Sequence, residues 1–314
     1  MRIIDQLCEL LLIDVDELIQ FSKRAPKRYK IYSIAKRSGK GTRTIAHPSK
    51  ELKFIQRAIV KVLKVHLPIH NSAMAYKNNV SVRDNALKHC NNRYLLKMDF
   101  RDFFPSINPE LFFDKLEGTS IQLDEQEKNL LTRLLFLRKR YSDSYTLSIG
   151  APSSPLISNF IMNEFDSHIF NFCIENRIVY TRYADDLTFS TNVKNLLFTM
   201  PSKVQQLLDE HNYNAIMVNA DKTIFSSMAH NRHVTGVTIT NEGRLSVGRK
   251  RKREISSLIH KYSNEALDTN AKERLQGIFS FACFIEPEFR KRMVLKYGEK
   301  LIYKLTHNTP EDNT

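Results

Sequence analysis

Nothing in the chain approaches the roughly 20 consecutive apolar residues of a membrane span. The apolar N-terminus, "MRIIDQLCELLLIDVDELIQF", is broken by Asp5, Glu9, Asp14, Asp16 and Glu17, so residues 1–22 read as an amphipathic helix rather than a signal peptide. Cysteine is scarce: Cys8, Cys90, Cys173 and Cys283 lie far apart with no CxxC pair, which argues against a zinc ribbon or a disulfide scaffold. A reducing cytoplasm is the expected compartment. There is no internal repeat and no Pro/Gly-rich linker. Acids are also in deficit, 34 against 48 Lys and Arg, leaving a charge of +14 that makes a polyanion the first partner class to consider.

What is present is globular: 314 residues, 42% hydrophobic, with 19 Phe and 12 Tyr, enough to bury a core in two or three contiguous subdomains. From Lys23 to Lys53 eleven Lys/Arg face the single acid Glu51. Within that run "RYKIYSIAKRSGKGTRTIAHPS" alternates about a Gly-rich turn and predicts a β-hairpin. A helix follows with Ser49 as N-cap and Leu52, Ile55, Ile59 and Leu63 on one face. "RYLLKMDFRDFF" (93–104) is strand-like up to Asp99. Residues 124–141 predict a helix with an acidic start and a basic end, which suits its dipole. Pro155 fits the first turn of a helix carrying Ile157, Ile161 and Phe165. "RIVYTRYADDLTFST" (177–191) predicts a hairpin, 202–211 a helix, 214–240 a strand pair turning at "NEGR", and the chain from Gly248 a basic helical tail. Paired strands between long helices point to an α+β fold, an antiparallel sheet backed by helices.

The chemistry lies in the acids. An Asp-Asp pair at a hairpin tip is by itself most often a solvated turn. Here, however, Asp99 ends a second apolar strand, and Asp185-Asp186 replaces the Asn-Gly or Asp-Gly that a tight hairpin favours. If the two strands are neighbours, three carboxylates converge, and hard divalent ions with oxygen ligands would relieve their repulsion. Two such ions about 3.5–4 Å apart clamp the attacking and leaving oxygens of a phosphoryl displacement.

"MDFRDFFPSI", "GAPSSPLISN" and "YADD", in that order, resemble the A, B and C motifs of the reverse transcriptases. "GTRTIAHPSKELK", "MVNADKT" and "HVTGVTI" extend the resemblance over nearly the whole chain, and "NALKH" (85–89) with "VTG" (234–236) is similar to the bacterial retron subfamily. The resemblance implies an RNA-directed DNA polymerase of right-hand architecture. Its N-terminal helix and fingers would span 1–90, the palm with interleaved fingers elements 91–243, and a basic helical thumb 244–314. It implies Asp99, Asp185 and Asp186 as catalytic acids holding two Mg²⁺ ions, or Mn²⁺, with the Phe100 carbonyl as a further ligand. Lys40, Arg43, Asp102, Phe103, Phe104, Gly150 and Lys222 would line the dNTP, Phe104 as a gate against the ribose 2′-OH. Tyr183, Asn85, His89 and Arg249, Lys250, Arg251, Lys252 and Arg253 would meet nucleic acid. The plainer readings are a strand aromatic at Tyr183, a core Phe at Phe104, a surface Lys222 and a solvated basic run.

The family pattern places Gln before the Gly of "GAPSSP", where this chain has Ile149, a departure that puts in question one polar contact to the incoming nucleotide but not the metal chemistry. A retron enzyme implies a structured noncoding RNA as template and primer, a 2′-OH-primed branched RNA–DNA product, and antiphage defence with an effector protein. The rivals are a group II intron-like enzyme with 3′-OH priming and a noncatalytic RNA-binding scaffold.

Overall fold

The apolar N-terminus folds as two helices, not one. A computed structural model describes residues 2–35, 41–139 and 142–307 of the protein. In it α1 (Ile3–Leu11) ends at Leu12, which adopts a left-handed φ of 56°, and α2 (Val15–Arg24) restarts on Asp14, whose carboxylate accepts the Glu17 N–H. β1 (Tyr29–Ala35) and β2 (Thr42–Pro48) form the expected antiparallel hairpin; Lys40 lies outside the described residues. α3 (Lys50–Leu63) starts on the Ser49 cap and buries Leu52, Ile55, Ile59 and Leu63. α4 (Val82–Lys88) begins with a Ser81–Asp84 capping box.

The centre of the chain runs β3 (Tyr94–Arg101), α5 (Phe103–Ser106), α6 (Pro109–Leu116), α7 (Glu125–Leu135), β4 (Leu137–Arg138), β5 (Tyr145–Thr146), α8 (Ser154–Ile161) and α9 (Asn163–Glu175). It continues through β6 (Val179–Tyr183), β7 (Asp186–Thr191), α10 (Met200–Glu210), β8 (Met217–Val218) and β9 (Ile224–Ser227). The C-terminal part is β10 (Arg232–Val234), β11 (Val237–Ile239), β12 (Leu245–Ser246), α11 (Arg249–Ser263), α12 (Thr269–Ile285), α13 (Glu288–Tyr297) and α14 (Glu299–Thr306).

Three further predicted elements change. The helix from 124 stops at Leu135, because Phe136 turns extended and buries its ring against Phe112. The helix after Pro155 breaks at Met162 into α8 and α9. "NEGR" joins β11 to β12, while β8 and β9 both pair with β3 instead of with each other.

The main sheet is antiparallel, with β3 between β7 on one edge and β8 and β9 on the other, and β6 outside β7. Alternation splits β3 into two faces. Leu96, Met98 and Phe100 join Leu187 and Phe189 in the helix-backed core, where each fully buried Leu or Phe contributes about 1.5–3 kcal/mol. The other face is graded. Leu95 packs with Ala86 of α4 in a second core, built mainly from β10–β12 and α11–α14. Asp99 stands at the opposite, open end. The architecture is thus α+β with a helix-backed antiparallel sheet, as the pattern predicted.

Candidate active site

Register brings the acids together. Asp99 of β3 lies directly across from Asp186 of β7, and Asp186 pairs in turn with Tyr183 of β6. Such pairs put side chains on one face about 4.5–5.5 Å apart at Cβ. Between Tyr183 and Asp186 the hairpin has only two loop residues, Ala184 and Asp185, and Ala184 carries a left-handed φ of 58°. The turn therefore lifts Asp185 out of the strand alternation that would have sent it to the opposite face from Asp186. Its carbonyl accepts the Phe100 N–H at 3.1 Å. On β geometry the Phe100 carbonyl leaves β3 on that same edge, toward the acids.

The charges are unbalanced. Burial, then repulsion from Asp99, raises the Asp185 carboxyl above the ordinary Asp range. Desolvation, then Asp185 and Asp99, pushes Asp186 up to about 6, although its side chain keeps solvent contact. The Lys222 ammonium caps Asp99, donating to its two oxygens at 2.7 and 2.8 Å, and Asn219 donates its N–H to the Asp99 carbonyl at 2.7 Å. A cation thus already stands on Asp99, and two further carboxyls carry more negative charge than their surroundings balance. All-oxygen donors in this state fit a hard divalent ion.

The other predicted residues divide. Phe104 is half-buried with its ring edge-on to Tyr76, while Phe103 is the core residue, stacked on Phe100 at 5.6 Å and turned away from the site. Asp102 is exposed at the start of α5 with φ of 44°. Arg43 is exposed on β2. Gly150 has φ of 125°, and a Cβ there would lie 3.1 Å from the Ala46 carbonyl. The close approach that Gly150 permits in the free chain is therefore that of β2, with Ile149 accepting the Ala46 N–H at 3.0 Å. In α11, Lys252 pairs with Glu286 and Arg251 lies over Phe281, leaving Arg253 exposed and Arg249 and Lys250 exposed in a first turn whose dipole disfavours cations.

Asn85 and His89 were expected to meet nucleic acid; in the fold both are buried, 1% and 0% exposed, and the polar partners found for them are internal, with the Asn85 amide oxygen left unpartnered. Asn85 donates to the Thr235 hydroxyl at 3.3 Å. His89 joins β7 to β6 through Ser190 and Thr181, both at 2.7 Å. Burial, then Lys88, lowers the His89 pKa to about 3. Because the folded pKa lies below the unfolded value of about 6.5, the unfolded chain gains the proton first as pH falls. Stability is unaffected by His89 above about pH 6.5 and declines below it, by about 2 kcal/mol at pH 5. Chemical denaturation at pH 7.5 and pH 5 should show that His89→Gln removes this part of the acid loss.

Tyr76, whose phenol is raised by burial and then by Asp185, carries no motif that would single it out in the sequence. Nor do Arg182 and Asp166, an ion pair at 2.6 Å with both side chains 0% exposed. An Arg inside an apolar strand was the available signal. A second set of metal-type ligands, Glu164, His168 and His211, gathers within 4.8 Å on α9 and the end of α10. Its Glu164 carboxylate is already held by Lys115 at 2.8 Å and His211 at 3.1 Å.

Residues 34–239 match the family model described as reverse transcriptase (RNA-dependent DNA polymerase). The chain is 45% identical to the retron Ec83 reverse transcriptase of Escherichia coli, over 92% of both chains. It is 33% identical to the retron Ec73 reverse transcriptase of the same organism, over 88% of this chain and 90% of that one. Among solved structures, telomerase from Candida albicans with a fragment of telomeric RNA aligns at a TM-score of 0.49 and 12% identity, covering 92% of this chain and 58% of that one.

Proposed function

The chain belongs to the retron reverse transcriptases, RNA-directed DNA polymerases of right-hand fold, and on that premise we propose that it copies part of a cognate structured RNA into single-stranded DNA. Synthesis starts from a ribose 2′-OH, gives a branched RNA–DNA molecule, and serves antiphage defence together with an effector protein. The observation that carries the catalytic part is the register: Asp99 opposite Asp186, with Asp185 in the turn beside them and an ammonium on Asp99.

Asp99, Asp185, Asp186 and the Phe100 carbonyl would hold two divalent ions, Mg²⁺ or in its place Mn²⁺. When bound, these ions lower the pKa of the attacking hydroxyl and neutralise charge on the α-phosphate and the leaving pyrophosphate. The protein's own residues do the rest. Lys222 is half exposed and can swing from Asp99 to a phosphate oxygen once Asp99 is otherwise neutralised. Arg43, on the fingers hairpin with Lys40, reaches the triphosphate as a fork donor. The half-buried Phe104 ring, set against Tyr76, fills the space a 2′-OH would need. Tyr183 supports the primer end. Arg249, Lys250 and Arg253 grip the phosphate backbone, so salt should weaken RNA binding steeply.

The assignment to branched-product synthesis is tested on nucleic acid that copurifies with the protein from its native host. A DNA joined to RNA through a 2′–5′ linkage is the expected result. Copurifying cDNA with an ordinary 3′-primed junction would assign the chain to intron-type priming. RNA with no DNA, from protein that also fails to extend a primer in vitro, would make it a scaffold.

A further inference from the structure

We propose that Arg182, held by Asp166, is a positioning residue that sets the catalytic turn from the side of the sheet away from substrate. This rests on Asp185 being one of the metal ligands in the reading above. Arg182 lies on β6 one residue before Tyr183, so its side chain points to the helix-backed face while Tyr183 faces the acids. The guanidinium is enclosed and satisfied by fixed partners. Nε donates to both Asp166 oxygens at 2.9 and 3.1 Å, and Nη2 donates to Oδ2 at 2.6 Å. Nη1 divides between the Asn159 amide oxygen at 3.2 Å and the Ala184 carbonyl at 3.1 Å.

The last bond matters most. Ala184 is the residue with φ of 58°, a conformation that a side chain disfavours and that persists only where surroundings impose it. Its carbonyl belongs to the peptide that leads into Asp185. The peptide that leaves Asp185 is fixed from the other side, because the Asp185 carbonyl accepts the Phe100 N–H at 3.1 Å. Both peptides flanking Asp185 are therefore pinned, one by a buried cation and one by β3, and the origin of its side chain is set before any ligand arrives.

The anchor is itself fastened. Asp166 also accepts the Tyr180 hydroxyl at 2.7 Å, and Asn159 donates to the Ala75 carbonyl at 2.9 Å. The backbone of Arg182 is bonded on both sides of its residue, donating to Ser72 at 2.8 Å and accepting from Met74 at 2.7 Å. A buried ion pair of this kind is a poor device for stability, since well-packed apolar replacements are often as stable. A planar fork that serves a carboxylate and a carbonyl at once is a good device for geometry, and Lys cannot reproduce it.

Two variants test this. Arg182→Lys keeps the charge on Asp166 and loses the reach to Ala184; Arg182→Met with Asp166→Asn removes both charges and leaves no buried ion unpaired. Each is compared with the wild type on an RNA template for kcat, KM for dNTP and the Mg²⁺ concentration at half-maximal rate. Amide exchange is followed without metal on peptides covering 183–187 and 94–98. The expected result is kcat down about 100-fold with KM within threefold, a higher Mg²⁺ requirement, and exchange faster by tenfold or more at 183–187 alone.

Rates and turn exchange that match wild type in either folded variant would overturn the proposal. So would faster exchange across both segments with kcat falling only in step with the folded fraction, since that describes a purely structural pair. If the double variant does not fold, Arg182→Lys alone decides between these results. Failure of the wild type itself to synthesise DNA would strike the catalytic reading of Asp185 and, with it, this proposal; a wild type that synthesises beside unchanged variants strikes the proposal only.

Discussion

Replacing Asp99 by Asn is expected to lower RNA-templated DNA synthesis at least about 1,000-fold, the scale of losing a preorganised charge at a reacting centre, while leaving the protein folded and no less stable. The side chain keeps its shape and volume. Its backbone carbonyl stays bonded to the Asn219 N–H, and β3 keeps its register with β7. What disappears is one of three negative charges in a space where Asp185 and Asp186 are already raised by burial and mutual repulsion. The ion pair with Lys222 goes as well, but the lysine is half exposed and solvent already screens the attraction. Primer extension and a thermal melt on the same preparation check both halves. Synthesis within tenfold of wild type would remove Asp99 from the metal site, and a large drop in melting temperature would make its role structural.

Shortening Phe104 to Ala is expected to raise rNTP incorporation relative to dNTP by about 100-fold, the range over which a pocket distinguishes analogues by one hydroxyl. Phe103 is the internal control. Its ring is 2% exposed and packs on Phe100, so Phe103→Ala should cost about 3–5 kcal/mol of stability and leave sugar choice unchanged. Competition of each rNTP with its dNTP on one template, read beside denaturant unfolding, separates the two rings. Equal sugar discrimination in wild type and Phe104→Ala would show that the ring fills space without gating.

Much of this was legible in the sequence because the active site is local. The hairpin around "YADD" follows from two short apolar runs, and Asp99 from the end of a third, so only their adjacency had to be supposed. The helices that failed did so for tertiary reasons. Periodicity continued past Leu135, but Phe136 found a better place against Phe112 than a further turn of helix would offer. The turn at Leu12 carries no Gly or Pro to announce it. Long-range polar pairings were equally silent. Lys222 meets Asp99 across 123 positions, and Arg182 meets Asp166 between strand and helix. Asn85 and His89 show the reverse case: polar residues in a conspicuous motif suggested a ligand contact, and in the fold they are buried, the Asn85 amide N–H bonded to the Thr235 hydroxyl and His89 to the sheet.

The central claim is where the divalent ion sits, and it can be read without turnover. Fe²⁺ in place of Mg²⁺, with ascorbate and peroxide, cuts a polypeptide beside the bound ion, and mass spectrometry locates the cuts. Cleavage clustered at Asp99–Phe100 and Tyr183–Asp186, suppressed by excess Mg²⁺, is the predicted result. Cleavage confined to Glu164, His168 and His211, with the two strands of the aspartates intact, would contradict it.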